Sequence, residues 1–389
     1  MTRWTVHPFW QAPYRPLFLY SGLWAVAAPS VWLFPGASGR DPVLWHLHEL
    51  MFGTGGAAVG GYLLTALPAW TGRGTVSGVV TLSLSVLWII ARVGFVLAGS
   101  LPFTVQVAAT LAYLLSLGAY LAWQLISARL WAKGWLLGPV FGLAAADFML
   151  LSEPNGFRDG RAALVAVLIF ALLINAIGGR AVPAFTRHWL ERTKSPQRLQ
   201  DSHRMSVFAT GLMVAGLCLA LVERDTLAGA CLIGSGAVTL ARMSGWRTSV
   251  TIRYPALLVL HLAWIWLPAG LLLVGLALLR PDIIGVATAL HGLTMGAMGT
   301  MMLAIMGRAA MQRRGEYLVL SPTLAFAFIL VWLSAPARIA AGLVPAKAID
   351  PVPVAALLWM AGWALFLTAH LSALRRPIPH PVLSARSRS

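Results

Sequence analysis

The sequence predicts an all-α, polytopic membrane protein, and three observations carry that reading. Of 389 residues, 59% are hydrophobic and only 11% charged, whereas a soluble domain carries roughly a quarter charged residues. The apolar residues arrive in runs of about twenty, long enough for a helix to cross a hydrocarbon core of about 30 Å. The net charge of +17 is concentrated in alternate connecting loops, the asymmetry that orients membrane proteins. One integral membrane domain over residues 1–389 follows, with spans filling roughly 15–376.

Hydropathy gives about twelve spans in order. The first starts near Arg15, after a tail with Pro8, Pro13 and Pro16 and no small-residue cleavage site, so no signal peptide is expected. The second, near Val43, follows Arg40–Asp41, and the third, near Val76, follows Arg73. The fourth starts near Phe103, the fifth near Trp131 between Arg129 and Lys133, and the sixth near Arg161 after Arg158–Asp159. The longest polar stretch, Arg187 to His203, precedes the seventh near Arg204. Glu223–Arg224–Asp225 leads into the eighth near Thr226, and Arg242, Arg247 and Arg253 lead into the ninth near Tyr254. The tenth starts near Ile283 after Arg280–Asp282 and the eleventh near Leu318 after Arg313–Arg314. The twelfth starts near Pro351 after Lys347–Asp350, and Arg375–Arg376 close it. Loops with unpaired cations alternate with loops whose cations sit beside acids, which places both termini in the cytoplasm. The lipid bilayer accounts for the charge pattern, and nucleic-acid binding is not needed.

Several chemistries lack support. Cys218 and Cys231 form no CxxC, so iron–sulfur clusters, zinc fingers and covalently attached haem are not indicated, and two buried thiols are expected. No phosphate-binding GxxxxGK[ST] loop and no HExxH pair occurs, and Gly53-Thr54-Gly55-Gly56 lies inside a span. Short blocks repeat. Ala66-Leu67-Pro68-Ala69-Trp70-Thr71 ends the second span and Ala181-Val182-Pro183-Ala184-Phe185-Thr186 ends the sixth. The sixth span's Ala176-Ile177-Gly178-Gly179-Arg180-Ala181 is similar to Ala304-Ile305-Met306-Gly307-Arg308-Ala309 in the tenth. Spans two, six and ten are four apart, which suggests three four-helix units. Gly56-x-x-x-Gly60 and Gly292-x-x-x-Gly296 mark close helix approach.

Ionisable residues inside spans are the functional suspects. His46, His48 and Glu49 fall in the outer third of the second span, and His291 lies roughly 12 Å into the tenth at 1.5 Å per residue. Arg92, Asp147 and Arg338 fall at the outer ends of the third, fifth and eleventh. Histidines on facing helices can ligate a haem of b type, and arginines can hold its propionates. The candidate haem residues are therefore His291, one of His46 and His48, and Arg92 with Arg338. The ordinary alternative is an Arg–carboxylate network through Glu49 and Asp147 with no cofactor. At about 100° per residue, His46 and His48 point about 200° apart, with Glu49 on the His46 face. One of the two can then serve haem while the other serves a second metal or pairs with a carboxylate. His291, Met295, Met298 and Met302 form one helical stripe, a candidate copper site of soft thioethers or simply packing. His46, His48, Glu49, His291, Met295 and His261 are the metal-ligand candidates. His261 and His370, with Asn175 and Arg180, lie in the inner halves of their spans, where hydrogen bonding is the simpler reading.

Trp45-His46-Leu47-His48-Glu49-Leu50-Met51-Phe52-Gly53 followed by Leu64-Thr65-Ala66-Leu67-Pro68-Ala69-Trp70-Thr71-Gly72-Arg73 resembles the signature of the NnrS family. Gly179 to Thr186 and Ala289 to Gly299 match further blocks in order, and the likeness runs from about residue 15 to 375. The resemblance implies a twelve-span bacterial inner-membrane protein associated with haem and copper and linked to nitric oxide and nitrosative stress. Met311-Gln312-Arg313-Arg314-Gly315-Glu316 departs from the family's polar stretch after the tenth span, which puts any histidine role there in doubt. A looser analogy runs to haem–copper oxidases and nitric oxide reductases, whose bis-histidine haem bridges spans two and ten; their paired copper histidines are missing here. The functional expectation is a haem protein that binds nitric oxide or helps detoxify it. An oxidoreductase or electron-transfer role with a redox partner, and a secondary transporter without haem, are the alternatives.

Overall fold

The computed structural model describes residues 7–34, 41–152, 160–315, 317–343, 351–379 and 381–383. Arg40, Arg158, Asp159, Glu316, Lys347 and Asp350 lie outside the described residues. Among the described residues, eleven helices are long and apolar enough to cross a membrane. In chain order after a shorter α1 (Tyr14–Ala27), they are α2 (Pro42–Thr71), α3 (Gly78–Val96), α4 (Phe103–Ser127), α5 (Trp131–Ser152) and α6 (Arg161–Arg192). Then follow α7 (His203–Leu221), α8 (Asp225–Ser244), α9 (Pro255–Leu279), α10 (Val286–Ala310), α11 (Pro322–Leu343) and α12 (Pro351–Leu374). The protein is an all-α, multi-pass membrane protein.

Two departures from the expected spans have local causes. Helix α1 has 14 residues and tightens into a 3₁₀ turn over Ala28–Trp32, with Pro29 at its start. Proline has no N–H to continue the α-helical ladder. The eleventh span begins at Pro322 because Tyr317–Val319 is extended, as is Gln312–Arg314. Elsewhere the ends follow ordinary chemistry. The Ser77 side chain accepts from the Val79 N–H at the start of α3, and Gly72 (φ 68°) closes α2 in the left-handed region.

Close contacts group the chain into two compact units. The first comprises Met1–Ala166, Met306–Tyr317 and Trp363–Ser389, and the second Val167–Ile305 and Leu318–Gly362. Within the first, α1 packs on α2, α3 on α4 and α4 on α5. Within the second, α8 packs on α7 and α9, and α10 packs on α9 and α11. Among the described spans, α2, α6 and α10 are the most enclosed, at 78%, 83% and 72% of their apolar windows. Other helices present apolar residues outward, as Ile89, Ile90, Val93 and Val96 do on α3, which is what lipid contact favours. The cysteines follow that rule rather than the expected burial. Both are free thiols, Cys218 exposed and Cys231 half-buried, a small hydrophobe facing outward.

Helices α2 and α10 share a feature that periodicity did not reveal. Each changes from α to π geometry immediately after the candidate histidines, over Glu49–Gly55 in α2 and Gly292–Gly299 in α10. A π turn closes i→i+5 bonds, is rare and is enriched at functional sites. Around the first π turn, backbone carbonyls accept from side chains of neighbouring helices. Trp88 Nε1 donates to Gly53 O at 3.0 Å, the Ser21 hydroxyl to Thr54 O at 2.9 Å and the Tyr113 hydroxyl to Gly56 O at 3.1 Å. Glycine is required where bulky partners press in. A Cβ on Gly53 would lie 2.5 Å from the Trp24 ring and 3.1 Å from Arg92 Nη1. Gly53→Ala is therefore expected to cost about 1–3 kcal/mol through overpacking, read as a lower thermal midpoint of the purified protein in detergent.

Candidate functional site

The first unit encloses a cluster of charged side chains contributed by separate helices. Glu49, at the start of the π turn, is fully buried and accepts three hydrogen bonds. Arg92 Nη1 from α3 donates to its Oε1 at 2.8 Å, and His48 Nδ1 lies 2.7 Å from the same oxygen. Trp24 Nε1 from α1 donates to Oε2. His48 is also fully buried, and its Nε2 lies 3.1 Å from Asp147 Oδ1 on α5, within ion-pairing distance but outside hydrogen-bond geometry. Its ring stacks on Phe95, with centroids 3.6 Å apart and planes 6° apart. The Arg92 guanidinium additionally sits over the Trp88 ring at 5.8 Å.

This arrangement corrects one expected geometry. His48 and Glu49 were placed on different faces by regular 100° spacing, with Glu49 beside His46. The helix changes register between them, and their side chains meet. His46 instead turns to α1's 3₁₀ extension, where Trp32 Nε1 donates to its Nδ1 at 3.0 Å. A ring nitrogen that accepts carries no proton, so neutral His46 holds its proton on Nε2.

In the second unit, His291 is half-buried, and its Nδ1 lies 2.7 Å from the carbonyl of Ala287. A carbonyl can only accept, so Nδ1 carries the proton and Nε2 keeps the lone pair. That is a tautomer in which imidazole can ligate a metal, fixed by the kind of backbone-carbonyl bond that orients such ligands. Gly342 of α11 abuts Thr288 of α10. The two consecutive crossings run in opposite directions, so one turn onward from Thr288 and one turn back from Gly342 bring His291 and half-buried Arg338 to the same depth. The methionine stripe does not survive the π turn. Residues four apart no longer stack there, and Met298 is buried at 2% exposure while Met295 and Met302 remain half-buried.

The remaining candidates are engaged elsewhere. His261 is fully buried between two hydroxyls, Thr186 on Nε2 at 2.8 Å and Thr248 on Nδ1 at 2.9 Å. His370 donates from Nε2 to the Arg15 carbonyl at 3.1 Å and stacks on Phe366. Asn175 donates to the Thr210 hydroxyl at 2.8 Å, and Arg180 is exposed. Among the described residues, no three His, Cys, Asp or Glu side chains form a group able to hold a metal ion.

A family model described as NnrS protein matches residues 8–377. The chain belongs to the NnrS family. It is thus a membrane protein associated with the nitric oxide response. No curated protein matches it. The haem that the NnrS resemblance implies can be tested residue by residue. His291 would fit as an iron ligand by its tautomer. His48 does not fit as placed, because both ring nitrogens face carboxylates and a face is covered by Phe95. His46 does not fit in its neutral form, because its Nδ1 already accepts from Trp32. Arg92 is held by Glu49 rather than turned toward a propionate, whereas Arg338 stands level with His291. Sequence reasoning missed Trp24, Trp32 and Phe95, which set these environments. Trp24 and Trp32 come from the preceding helix and Phe95 from the following one, and nothing in their spacing points at a histidine.

Removing one member of a buried charge cluster strands its partner in a medium of low dielectric, which typically costs about 3–5 kcal/mol. Arg92→Leu should lower unfolding stability by about that amount. Arg92→Gln combined with Glu49→Gln should cost less than the sum of the single changes, because each removes the other's stranded charge. Unfolding of the purified variants in a double-mutant cycle measures this; strict additivity would show that the two groups are not coupled.

Proposed function

We propose that this NnrS-family protein binds a b-type haem through His291, with Arg338 as propionate partner, and that it binds nitric oxide or helps detoxify it there. The observation that carries the reading is the Nδ1–H of His291 donating to the Ala287 carbonyl, which presents Nε2 as a ligand. The π turn that begins at the next residue supports it, since such turns concentrate at functional sites. When bound, haem iron supplies a coordination position for a diatomic gas. With His46 and His48 both engaged by other groups, the reading is that one protein imidazole, His291, would hold the haem rather than a pair of histidines. Nitric oxide is small and apolar, so an apolar protein interior in the bilayer gives it access without a polar channel. Copper has narrower support here, because the π turn breaks the Met295–Met298–Met302 stripe and Met298 has turned into the core.

The buried run Glu49–His48–Asp147 favours a second reading, a secondary transporter without haem, because ionisable groups inside spans mark proton and substrate pathways. The two separate on one sample. A reduced-minus-oxidised optical spectrum of the purified protein should show a haem signature that shifts when nitric oxide is added. His291→Ala should remove most of that absorbance, whereas His261→Ala should leave it. A colourless wild-type protein, with no spectral change in His291→Ala, would sink the haem reading and leave transport.

A further inference from the structure

In the first unit, the start of α1 and the ends of α10 and α12 meet around an open cavity of about 380 Å³. Its walls include Tyr14, Gln312, Arg313, Arg376, Pro377 and Pro379, and it shares no residue with the sites described above. Among the described residues, its polar side chains carry positive charge without a matching negative one. Arg313 Nη2 donates to the Pro381 carbonyl and, at 3.4 Å, to that of Val382. Arg376 donates to the Ala310 carbonyl at 3.3 Å and the Ser372 hydroxyl at 3.4 Å, both long contacts. Behind them Arg15, only 4% exposed, donates from Nη2 to the Arg376 carbonyl at 2.5 Å and from Nε to the Tyr14 hydroxyl at 3.4 Å. Every one of these bonds ends on a neutral oxygen. Among the described residues, no carboxylate lies within ion-pairing distance of Arg15, Arg313 or Arg376. Burial also pushes the half-buried Arg313 guanidinium below its ordinary value.

Cations gather in cytoplasmic loops for topological reasons alone, which is enough to explain exposed Arg314. It does not explain two arginines walling a cavity with a third enclosed behind them. Desolvated guanidiniums without counter-charge are costly, and a concave wall of one sign focuses its field on an incoming anion. Planar guanidiniums match phosphate oxygens in bidentate fashion. The volume falls within the range of about 300–1,000 Å³ typical of small organic ligands, too large for an inorganic ion alone. We propose that this cavity binds a phosphate ester, with Arg313 and Arg376 on the phosphate and Tyr14, Pro377 and Pro379 against its organic part. The ester can come from a phospholipid headgroup or from a soluble organic phosphate. The proposal does not depend on the haem reading.

The test uses the full chain with two probes. In nanodiscs of equal parts phosphatidylglycerol and phosphatidylcholine, native mass spectrometry should show phosphatidylglycerol retained on the released protein. In detergent without lipid, sn-glycerol 3-phosphate should raise the melting temperature. A response to glycerol phosphate assigns the soluble ester, and lipid retention without it assigns a headgroup. The pair Arg313→Gln and Arg376→Gln should weaken whichever binding is seen by about tenfold or more. Arg314→Gln, the next residue of the same extended segment and facing the other way, should change it by less than about twofold. If the double variant does not fold, Arg376→Gln alone is read against Arg376→Lys, and the lysine should retain part of the binding. Failure of both probes to bind, or equal losses in Arg314→Gln and the cavity variants, overturns the proposal.

Discussion

The first unit is organised by the need to neutralise one buried carboxylate. Glu49 is out of reach of water, and an unpaired charge there would cost several kcal/mol. It is answered by a guanidinium from α3, an imidazole from its own helix and an indole N–H from α1. Through His48 the same network reaches Asp147 on α5. Four helices are therefore held to one register by polar contacts, in surroundings where apolar packing gives little directional preference. The π turn belongs to this arrangement. It brings adjacent residues 48 and 49 onto one another, and Trp88, Ser21 and Tyr113 satisfy the carbonyls in and beside it. Gly53 keeps the space that Trp24 and Arg92 occupy.

The members of this network are not equally satisfied. Glu49 is balanced by Arg92, and Asp147 by whatever proton lies between it and His48. A ring nitrogen and a carboxylate oxygen 3.1 Å apart require a proton on one or the other to avoid repulsion. The contact misses hydrogen-bond geometry, and both Asp147 oxygens are buried with no hydrogen bond. Asp147 is thus the least satisfied member, whereas Glu49 is saturated.

Much of the fold was legible in the sequence because membrane crossing imposes a length and an apolar composition that few other structures need. Most span starts fall within three residues of those expected, and the larger miss, at the eleventh, is a short extended segment that hydropathy scores like a helix. The site was legible only as an inventory. His48, Glu49, Arg92 and Asp147 could be placed in one layer from their positions along α2, α3 and α5. Their pairing could not, because regular helical spacing put Glu49 on the His46 face and a π turn overruled it. The same cause hid the breakup of the Met295–Met298–Met302 stripe. Glycine-rich runs were the available signal: Gly53, Gly55 and Gly56, then Gly292, Gly296 and Gly299, mark both π turns. The pattern reads equally well as close helix approach, which it also is, since a Cβ on Gly296 would meet the Trp266 ring.

His48 and His291 show why residue type and position alone do not assign a ligand. Both precede a π turn in a highly enclosed span, and both sit in blocks that carry the family likeness. Their chemistry is set by the atoms facing their rings. Two carboxylates face His48, so its nitrogens serve as counter-charges, and parallel Phe95 closes a face of the ring. The Ala287 carbonyl faces Nδ1 of His291, which in the neutral ring fixes the proton there and puts the lone pair on Nε2. A carbonyl partner orients an imidazole without neutralising it, so the ring keeps its capacity to bind a metal. A carboxylate on each side removes that capacity unless one acid moves away. By that reasoning His48 of α2 holds helices together, while the ring of His291 on α10 is oriented by a neutral carbonyl.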